Sequence, residues 1–119
     1  MQRKPRAYLA DVVAACDAIA IDVAGIDLGA YLETRSIRSA VEREFIIIGE
    51  AINALGTLEP DLFSRITQAR KVVDFRNQLT HGYMTVNDTL VWAYAVQNAP
   101  LLREECAALL SEMDAEETD

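Results

Sequence analysis

The residues best able to do chemistry in this sequence are concentrated in one decapeptide, DFRNQLTHGY, at residues 74–83. It contains the only histidine of the chain, His81, together with Arg76, Asn77 and Tyr83. An imidazole exchanges protons near neutral pH, and a guanidinium binds anions through parallel hydrogen bonds. The preceding residues carry a helical pattern, and five residues of ideal helix turn the chain by roughly 140°. Arg76 and His81 would therefore point away from each other.

A helical wheel leaves two explanations of this orientation open. The apolar stripe of the helix consists of Val72, Phe75 and Leu79. Arg76 lies at its edge, where an arginine usually extends along the surface or pairs with a carboxylate. His81 lies on the polar side, where a histidine near a helix end usually compensates the helix dipole. If the two act together, either the helix ends or distorts before His81, or the partners come from two copies of the chain.

The composition is that of one folded domain, which we expect to span residues 1–119 with an acidic tail from about residue 114. Apolar residues make up 51% of the chain, which excludes general disorder. No apolar run approaches the ~20 residues that a membrane helix needs. The basic start imitates a signal peptide, but Asp11 and Asp17 interrupt its apolar part. We therefore expect a cytoplasmic protein without membrane contact.

The sequence offers few groups for metal or cofactor chemistry. Cys16 and Cys106 are far apart and are interpreted as reduced, buried residues. With a single histidine they exclude the usual zinc ligand sets. Neither a glycine-rich phosphate loop nor a GxSxG motif occurs. We expect no metal and no cofactor.

The net charge of −8 argues against a general nucleic-acid binder. The charge is unevenly distributed, however, because seven carboxylates and no cation follow Arg103. Between Arg35 and Arg76, cations slightly outnumber anions. A local basic cleft on an acidic protein is compatible with this pattern.

Apolar periodicity predicts an all-α, up-and-down bundle of four main helices, without strands or repeats. The first helix begins at Pro5 and ends near Gly25, and a short helical segment follows. The second runs over about residues 36–55 and ends at Gly56. Its wide apolar stripe indicates a central position.

The third helical region opens at Pro60 and is expected to break near Thr67. The last helix starts at residues 87–88, is kinked at Pro100 and ends near Met113.

The stretch RNQLTHGY resembles the Arg-x4-His-x-Tyr motif of the HepT-like toxins, a branch of the HEPN superfamily long catalogued as a domain of unknown function. The resemblance continues through YLETRSIRSAVEREFIIIGEAINAL and VWAYAVQNAPLLREEC, and so covers nearly the whole chain. An Arg-x4-His spacing alone is a weak indication. With the flanking Asn, the Gly-Tyr and the matching helices it is a strong one.

This resemblance implies a HEPN-type four-helix bundle that forms homodimers, with the motif lining a cleft at the interface. It implies a metal-independent ribonuclease toxin of a type VII toxin–antitoxin system, paired with a minimal nucleotidyltransferase antitoxin. Carried over to this sequence, it makes Arg76 and His81 catalytic and Asn77 a supporting polar residue. Tyr83 becomes the acceptor of AMP from the antitoxin. The acidic tail has no role in that pattern.

A two-fold axis near the motif would also explain why Arg76 and His81 point apart. Cleavage of RNA through the neighbouring 2′-OH needs one proton removed and another supplied. Two copies of His81 would provide both groups, and two copies of Arg76 would stabilise the charge of the transition state. AMP on Tyr83 would place an anion beside the guanidinium groups and repel RNA.

Other conspicuous residues are given structural roles. Three aromatic residues that could stack on bases are expected to pack in the core instead, namely Tyr8, Trp92 and Tyr94. Glu50 lies within an apolar helix, where a buried pair with an arginine such as Arg43 is the preferred interpretation, and no catalytic role is assigned to it.

Two other classes of function stay open: a catalytically inactive HEPN module that binds nucleotides or a partner, and a plain helical dimerisation module. An adjacent reading frame for a small nucleotidyltransferase would favour the toxin over the dimerisation module. Growth arrest on expression, relieved by Arg76→Ala or His81→Ala, would separate the toxin from the inactive module.

Overall fold

Helices account for all the regular structure in the computed structural model, which describes residues 3–81 and 86–117. In this part of the chain the α-helices are α1 (Pro5–Val23), α2 (Leu28–Glu33), α3 (Arg35–Leu58), α4 (Pro60–Arg65), α5 (Ala69–His81), α6 (Asp88–Ala93) and α7 (Ala99–Glu117). A π-helical turn, Tyr94–Asn98, joins α6 to α7. The predicted all-α fold is confirmed. None of these helices is long and apolar enough to cross a membrane.

Several helix ends follow from individual side chains. Asp27 accepts a hydrogen bond from the backbone N–H of Ala30 at 2.9 Å and so caps α2. Asn87 caps α6 in the same way, through the N–H of Leu90 at 3.1 Å. Gly25, directly after α1, has a φ of 75°, which favours glycine. The predicted start of the last helix and the predicted end of the first are confirmed.

Helix α3 is the centre of the fold, as its wide apolar stripe predicts. It packs mainly against α1 and α5, and it also contacts α2, α4 and α6. Helix α7 packs against α1 and completes the bundle. The buried side chains of α3 recur at three, four and seven residues and include Val41, Phe45, Ile48, Ile52 and Leu55.

The end of α3 differs from the prediction, because the helix continues through Gly56 to Leu58. It stops before Pro60, since a residue that precedes proline is driven out of the helical conformation. Gly56 instead allows α4 to approach: a Cβ there would lie 2.9 Å from Cδ2 of Phe63. This glycine is a packing position and not a helix end.

The third helical region is broken at residues 66–68, as predicted near Thr67. Side chains of α7 and of the π turn form hydrogen bonds with the residues of this break. The carboxylate of Glu105 accepts hydrogen bonds from the backbone N–H and the hydroxyl of Thr67, at 2.6 and 2.8 Å. Asn98, in the π turn, donates to Gln68 at 2.8 Å.

A π turn, Tyr94–Asn98, lies directly before Pro100, where a kink was predicted. Proline cannot donate a helical hydrogen bond, and its ring crowds the preceding turn. Directly before it the chain widens, so that the N–H of Ala99 bonds to the carbonyl of Tyr94, five residues back. The helix then extends to Glu117, beyond the predicted end near Met113.

The two cysteines are structural, as predicted. Cys16 and Cys106 are buried with free thiols. Burial raises the pKa of each thiol to about 12, so both stay protonated at neutral pH.

The three aromatic residues that could have bound bases pack in the protein instead. Trp92 contacts Tyr31, and Tyr94 contacts Phe75, with ring centroids 5.3 and 4.5 Å apart. Tyr8 is partly buried against the core.

Candidate active site

Helix α5 carries three of the four residues of the predicted motif. Arg76 lies at the edge of the buried face of α5, with 26% of its side chain exposed. Asn77 and His81 are exposed. These positions agree with the helical wheel. Tyr83, the fourth residue, lies outside the described part of the chain.

The stem of Arg76 lies directly on the backbone of α3, at Gly49. A Cβ atom added to Gly49 would be 2.1 Å from Cβ and 2.6 Å from Cγ of Arg76. It would also be 3.3 Å from the carbonyl oxygen of Val72. Real Cβ atoms do not approach each other so closely, so only glycine fits at this crossing of α3 and α5.

Two side chains hold the guanidinium of Arg76. Nη1 donates to Oδ1 of Asn77 at 2.9 Å, and Nη2 donates to Oε1 of Glu50 at 3.4 Å. Nε is buried and has no hydrogen-bond partner among the described residues. A guanidinium carries two N–H groups on each terminal nitrogen. Each terminal nitrogen of Arg76 therefore has a second N–H that these two hydrogen bonds do not use.

The predicted pairing of Glu50 with an arginine is confirmed, but the predicted burial and the example of Arg43 are wrong. The side chain of Glu50 is 54% exposed, and its partner is Arg76 on α5. Residues seven apart on a helix share a face but lie roughly 10 Å apart along the axis. Helix α3 therefore does not itself bring Glu50 and Arg43 together.

Gly49 and Glu50 are site residues that the sequence interpretation did not identify. The available signal was a glycine inside an apolar helix. Glycine costs about 1 kcal/mol relative to alanine at such a position, so its presence indicates a packing reason. The sequence does not reveal which helix supplies that reason.

His81 is not brought onto Arg76. It is exposed at the last described position of α5, and the chain is helical through it. Within the described residues its imidazole makes no hydrogen bond or ion pair, including with the side chain of Asn77 one turn earlier. Of the two explanations for its orientation, a helix that ends or distorts before His81 is contradicted. The use of two copies of the chain stays a prediction.

The groups on this surface suit phosphodiester chemistry. A guanidinium with two available N–H groups can bind two oxygens of one phosphate. An exposed imidazole can give or take a proton. Within residues 3–81 and 86–117, no three His, Cys, Asp or Glu side chains are grouped so that they could hold a metal ion.

Comparison with known proteins identifies the family. The family model described as "Ribonuclease HepT-like" matches residues 12–109. A protein of Caldanaerobacter subterraneus subsp. tengcongensis named "Putative RNase" is 25% identical over 108 residues, which cover 91% of this chain and 96% of that relative. A protein of the same description from Methanocaldococcus jannaschii is 26% identical over 104 residues, covering 87% and 94%. No solved structure gives a significant match. Because the family match covers most of the chain, this protein belongs to the HepT-like ribonuclease family.

Proposed function

We propose that this protein is a ribonuclease that cleaves RNA without a metal ion, with Arg76 and His81 as its catalytic residues. The observation that carries the proposal is the guanidinium of Arg76, which Asn77 and Glu50 hold with two N–H groups left for a phosphate. The exposed imidazole of His81 lies further along the same helix. Membership of the HepT-like ribonuclease family supports RNA as the substrate.

The proposed reaction is an internal displacement at phosphorus. The 2′-oxygen forms a bond to the phosphorus as the bond to the 5′-oxygen breaks, which gives a cyclic phosphate and a free 5′-hydroxyl. One imidazole takes the proton of the 2′-OH, and an imidazolium gives a proton to the leaving oxygen. Arg76 donates to the phosphate oxygens, on which negative charge increases in the transition state.

A homodimer supplies both proton-transfer groups. A single His81 would have to serve the 2′-oxygen and the leaving oxygen, which lie on opposite sides of the phosphorus. Two copies of His81 across a two-fold axis serve one oxygen each. Since α5 is helical through His81 and turns it away from Arg76, a second chain is also the simplest way to place an imidazole near a given guanidinium.

We further propose that the protein is the toxin of a type VII toxin–antitoxin pair in the cytoplasm. A cognate minimal nucleotidyltransferase would transfer AMP to Tyr83: the phenolic oxygen attacks the α-phosphorus of ATP, and pyrophosphate leaves. Tyr83 follows His81 by two residues. AMP at this position would add an anion to the motif, where it would compete with RNA for the guanidinium of Arg76 and repel RNA.

Cleavage of a fluorescent RNA by the purified protein tests this function. We expect Arg76→Ala and His81→Ala each to lower kcat by about 10²-fold or more. Arg65→Ala is the matched control, because Arg65 is an exposed arginine that pairs with a carboxylate, Glu112, elsewhere on the surface. We expect cleavage to continue in excess EDTA.

Three results would contradict the proposal. They are near wild-type cleavage by the Arg76 or the His81 variant, loss of cleavage on chelation that Mg²⁺ restores, and RNA binding without cleavage. The last of these would favour the inactive binding module.

A further inference from the structure

We propose that Gly49 and Glu50 of α3 are positioning residues, which fix the guanidinium of Arg76 in the orientation that meets an RNA phosphate. The inference rests on the proposed function, since it takes phosphate as the ligand of Arg76. It extends the site beyond the Arg-x4-His-x-Tyr motif to a second helix, because Glu50 precedes Arg76 by 26 residues.

Gly49 determines how closely Arg76 lies on α3. The site of its missing Cβ is 2.1 Å from Cβ of Arg76, so the first two carbons of the Arg76 side chain occupy the space of a side chain at position 49. Any larger residue there either pushes α5 away from α3 or turns the stem of Arg76 aside. Both changes move the guanidinium, which lies at the far end of a long side chain.

The contacts of the guanidinium decide which of its edges can bind a phosphate. Side-on binding uses Nε and one terminal nitrogen, but Nε is buried. A phosphate therefore binds end-on, through Nη1 and Nη2. Asn77 on α5 holds one of these nitrogens and Glu50 on α3 holds the other, so the plane of the guanidinium is fixed from two helices.

Glu50 has two opposite effects on the reaction. By holding Nη2 it orients a donor whose contribution is largest in the transition state, where the phosphate oxygens carry the most negative charge. Its own negative charge repels RNA in the ground state. At 3.4 Å from Nη2 and half exposed, the carboxylate can stay beside Arg76 while the phosphate binds the other N–H groups. Glu50 thus raises both kcat and KM.

Steady-state kinetics of RNA cleavage test this pair of effects. For Glu50→Ala we expect kcat to fall about tenfold, because the guanidinium is no longer oriented. We expect KM to fall about two- to threefold, because a repelling charge is removed. Glu50→Gln keeps an acceptor at the same position without the charge, so kcat should recover to within about threefold of wild type while KM stays low.

The control for these variants is Glu112→Ala. Glu112 has a similar exposure and also pairs with an arginine, Arg65. We expect it to leave kcat and KM unchanged. Removing a residue that only supported the fold would not lower KM. An unchanged kcat in Glu50→Ala, or a raised KM, overturns the role of Glu50.

Gly49→Ala tests the contact on α3. We expect kcat to fall about 10²-fold, because a displacement of the Arg76 guanidinium by about 1 Å has an effect of this size. Gly56→Ala is the matched control on the same helix. Its Cβ also meets a neighbour, at 2.9 Å, but that neighbour is the ring of Phe63. Cleavage by Gly49→Ala at or above the level of Gly56→Ala overturns the role of Gly49. If Gly49→Ala does not fold, the exposed Glu50 variants still decide the inference.

A nuclear magnetic resonance measurement separates this inference from the proposed function. The Nε–H resonance of Arg76 can be assigned by its loss in Arg76→Lys. Without Glu50 the guanidinium rotates more freely about the Nε–Cζ bond, so we expect this resonance to shift or broaden in Glu50→Ala and to stay unchanged in Glu112→Ala. If wild type cleaves no RNA but the resonance responds, the proposed function fails and the positioning role stands. An unchanged resonance overturns the positioning role.

Discussion

Arg76 differs from most of the arginines in this protein in how far its side chain is fixed. Among the described residues, six arginines pair with carboxylates, and four of these have side chains that are 43–52% exposed, namely Arg3, Arg6, Arg65 and Arg103. Such surface pairs contribute about 0–1 kcal/mol. Arg38 and Arg76 are only 23% and 26% exposed. In Arg76 the buried stem removes rotamer freedom before any ligand binds, which lowers the entropy cost of binding a phosphate.

Glu42 is a residue whose charge opposes folding. It is half-buried on α3, and burial, with a further contribution from the charge of Asp88, raises the pKa of its carboxyl. Arg38 partly compensates. The buried hydroxyl of Tyr31, which has no hydrogen-bond partner among the described residues, faces the same charges, and its pKa is also raised by burial and by Glu42 and Asp88.

We therefore expect Glu42→Gln to stabilise the protein at neutral pH. A raised pKa means that the folded state holds the proton more tightly than the unfolded state, so the penalty for the charge is present at pH 7 and disappears below the ordinary pKa. The melting temperature of Glu42→Gln should exceed that of wild type at pH 7, and the difference should shrink at about pH 4. Glu112→Gln should show no such gain. A lower melting temperature for Glu42→Gln at pH 7 would contradict this account.

At the scale of elements, the orientation of α5 depends on the last helical region. The break at residues 66–68 leaves backbone groups at the start of α5 without helical partners. Glu105 of α7 accepts two hydrogen bonds from Thr67, and Asn98 donates to Gln68. These contacts join the segment before α5 to α7 and to the π turn that precedes α7, while Gly49 sets the distance of α5 from α3. Helix α5, which carries the site, is thus fixed by both neighbours.

Glu105→Ala tests the first of these contacts. Hydrogen bonds to a charged acceptor contribute about 1.5–3 kcal/mol each when buried, and less at a partly exposed position. We expect the free energy of unfolding to fall by about 1–2 kcal/mol, measured by urea denaturation. Glu104→Ala, the exposed neighbour, should change it by less than about 0.5 kcal/mol. Equal losses in the two variants would mean that the contact with Thr67 contributes nothing specific.

The features that could be predicted from the sequence are those that depend on residues within a single helix. The stripes of α1 and α3, the cap at Asn87, and the edge position of Arg76 on α5 all follow from residues close together in the chain. Contacts between helices were not predictable in this way. Glu50 pairs with Arg76, and Gly49 and Gly56 admit neighbouring helices, because of the register between packed elements. A single sequence does not reveal that register.

At the scale of the whole molecule, some carboxylates pair with cations that are distant in sequence. Asp114 and Glu112 near the end of α7 pair with Arg6 of α1 and Arg65 of α4, each at 2.8 Å. These pairs connect the ends of helices that are far apart in sequence.

The cations of α5 are arranged differently. Arg70 and Lys71 have no carboxylate within ion-pair distance in the described part of the chain, and they lie over the rings of Phe63 and Tyr94 at 5.4 and 4.8 Å. Helix α5 thus carries three cations, Arg70, Lys71 and the Glu50-paired Arg76, against one carboxylate, Asp74, on a protein of net charge −8. If RNA binds along these cations, its affinity should fall steeply as salt is raised.

The proposed homodimer is tested by combining chains with different defects. Light scattering that shows a monomer at micromolar concentration would remove the shared cleft. If a dimer forms, Arg76→Ala and His81→Ala are each inactive as homodimers. A mixed dimer, isolated through a different affinity tag on each chain, keeps one Arg76 and one His81 on opposite chains.

The activity of the mixed dimer then reports which groups transfer the protons. If catalysis uses the arginine of one chain with the histidine of the other, the mixed dimer regains a sizeable fraction of wild-type cleavage. If the acid and the base are the two copies of His81, one of them is still missing, and losing one imidazole costs about 10²-fold or more. Because we propose the two histidines as acid and base, we expect the mixed dimer to stay far below wild type. Recovery of half the wild-type rate would instead assign both proton transfers to a single His81 per cleft.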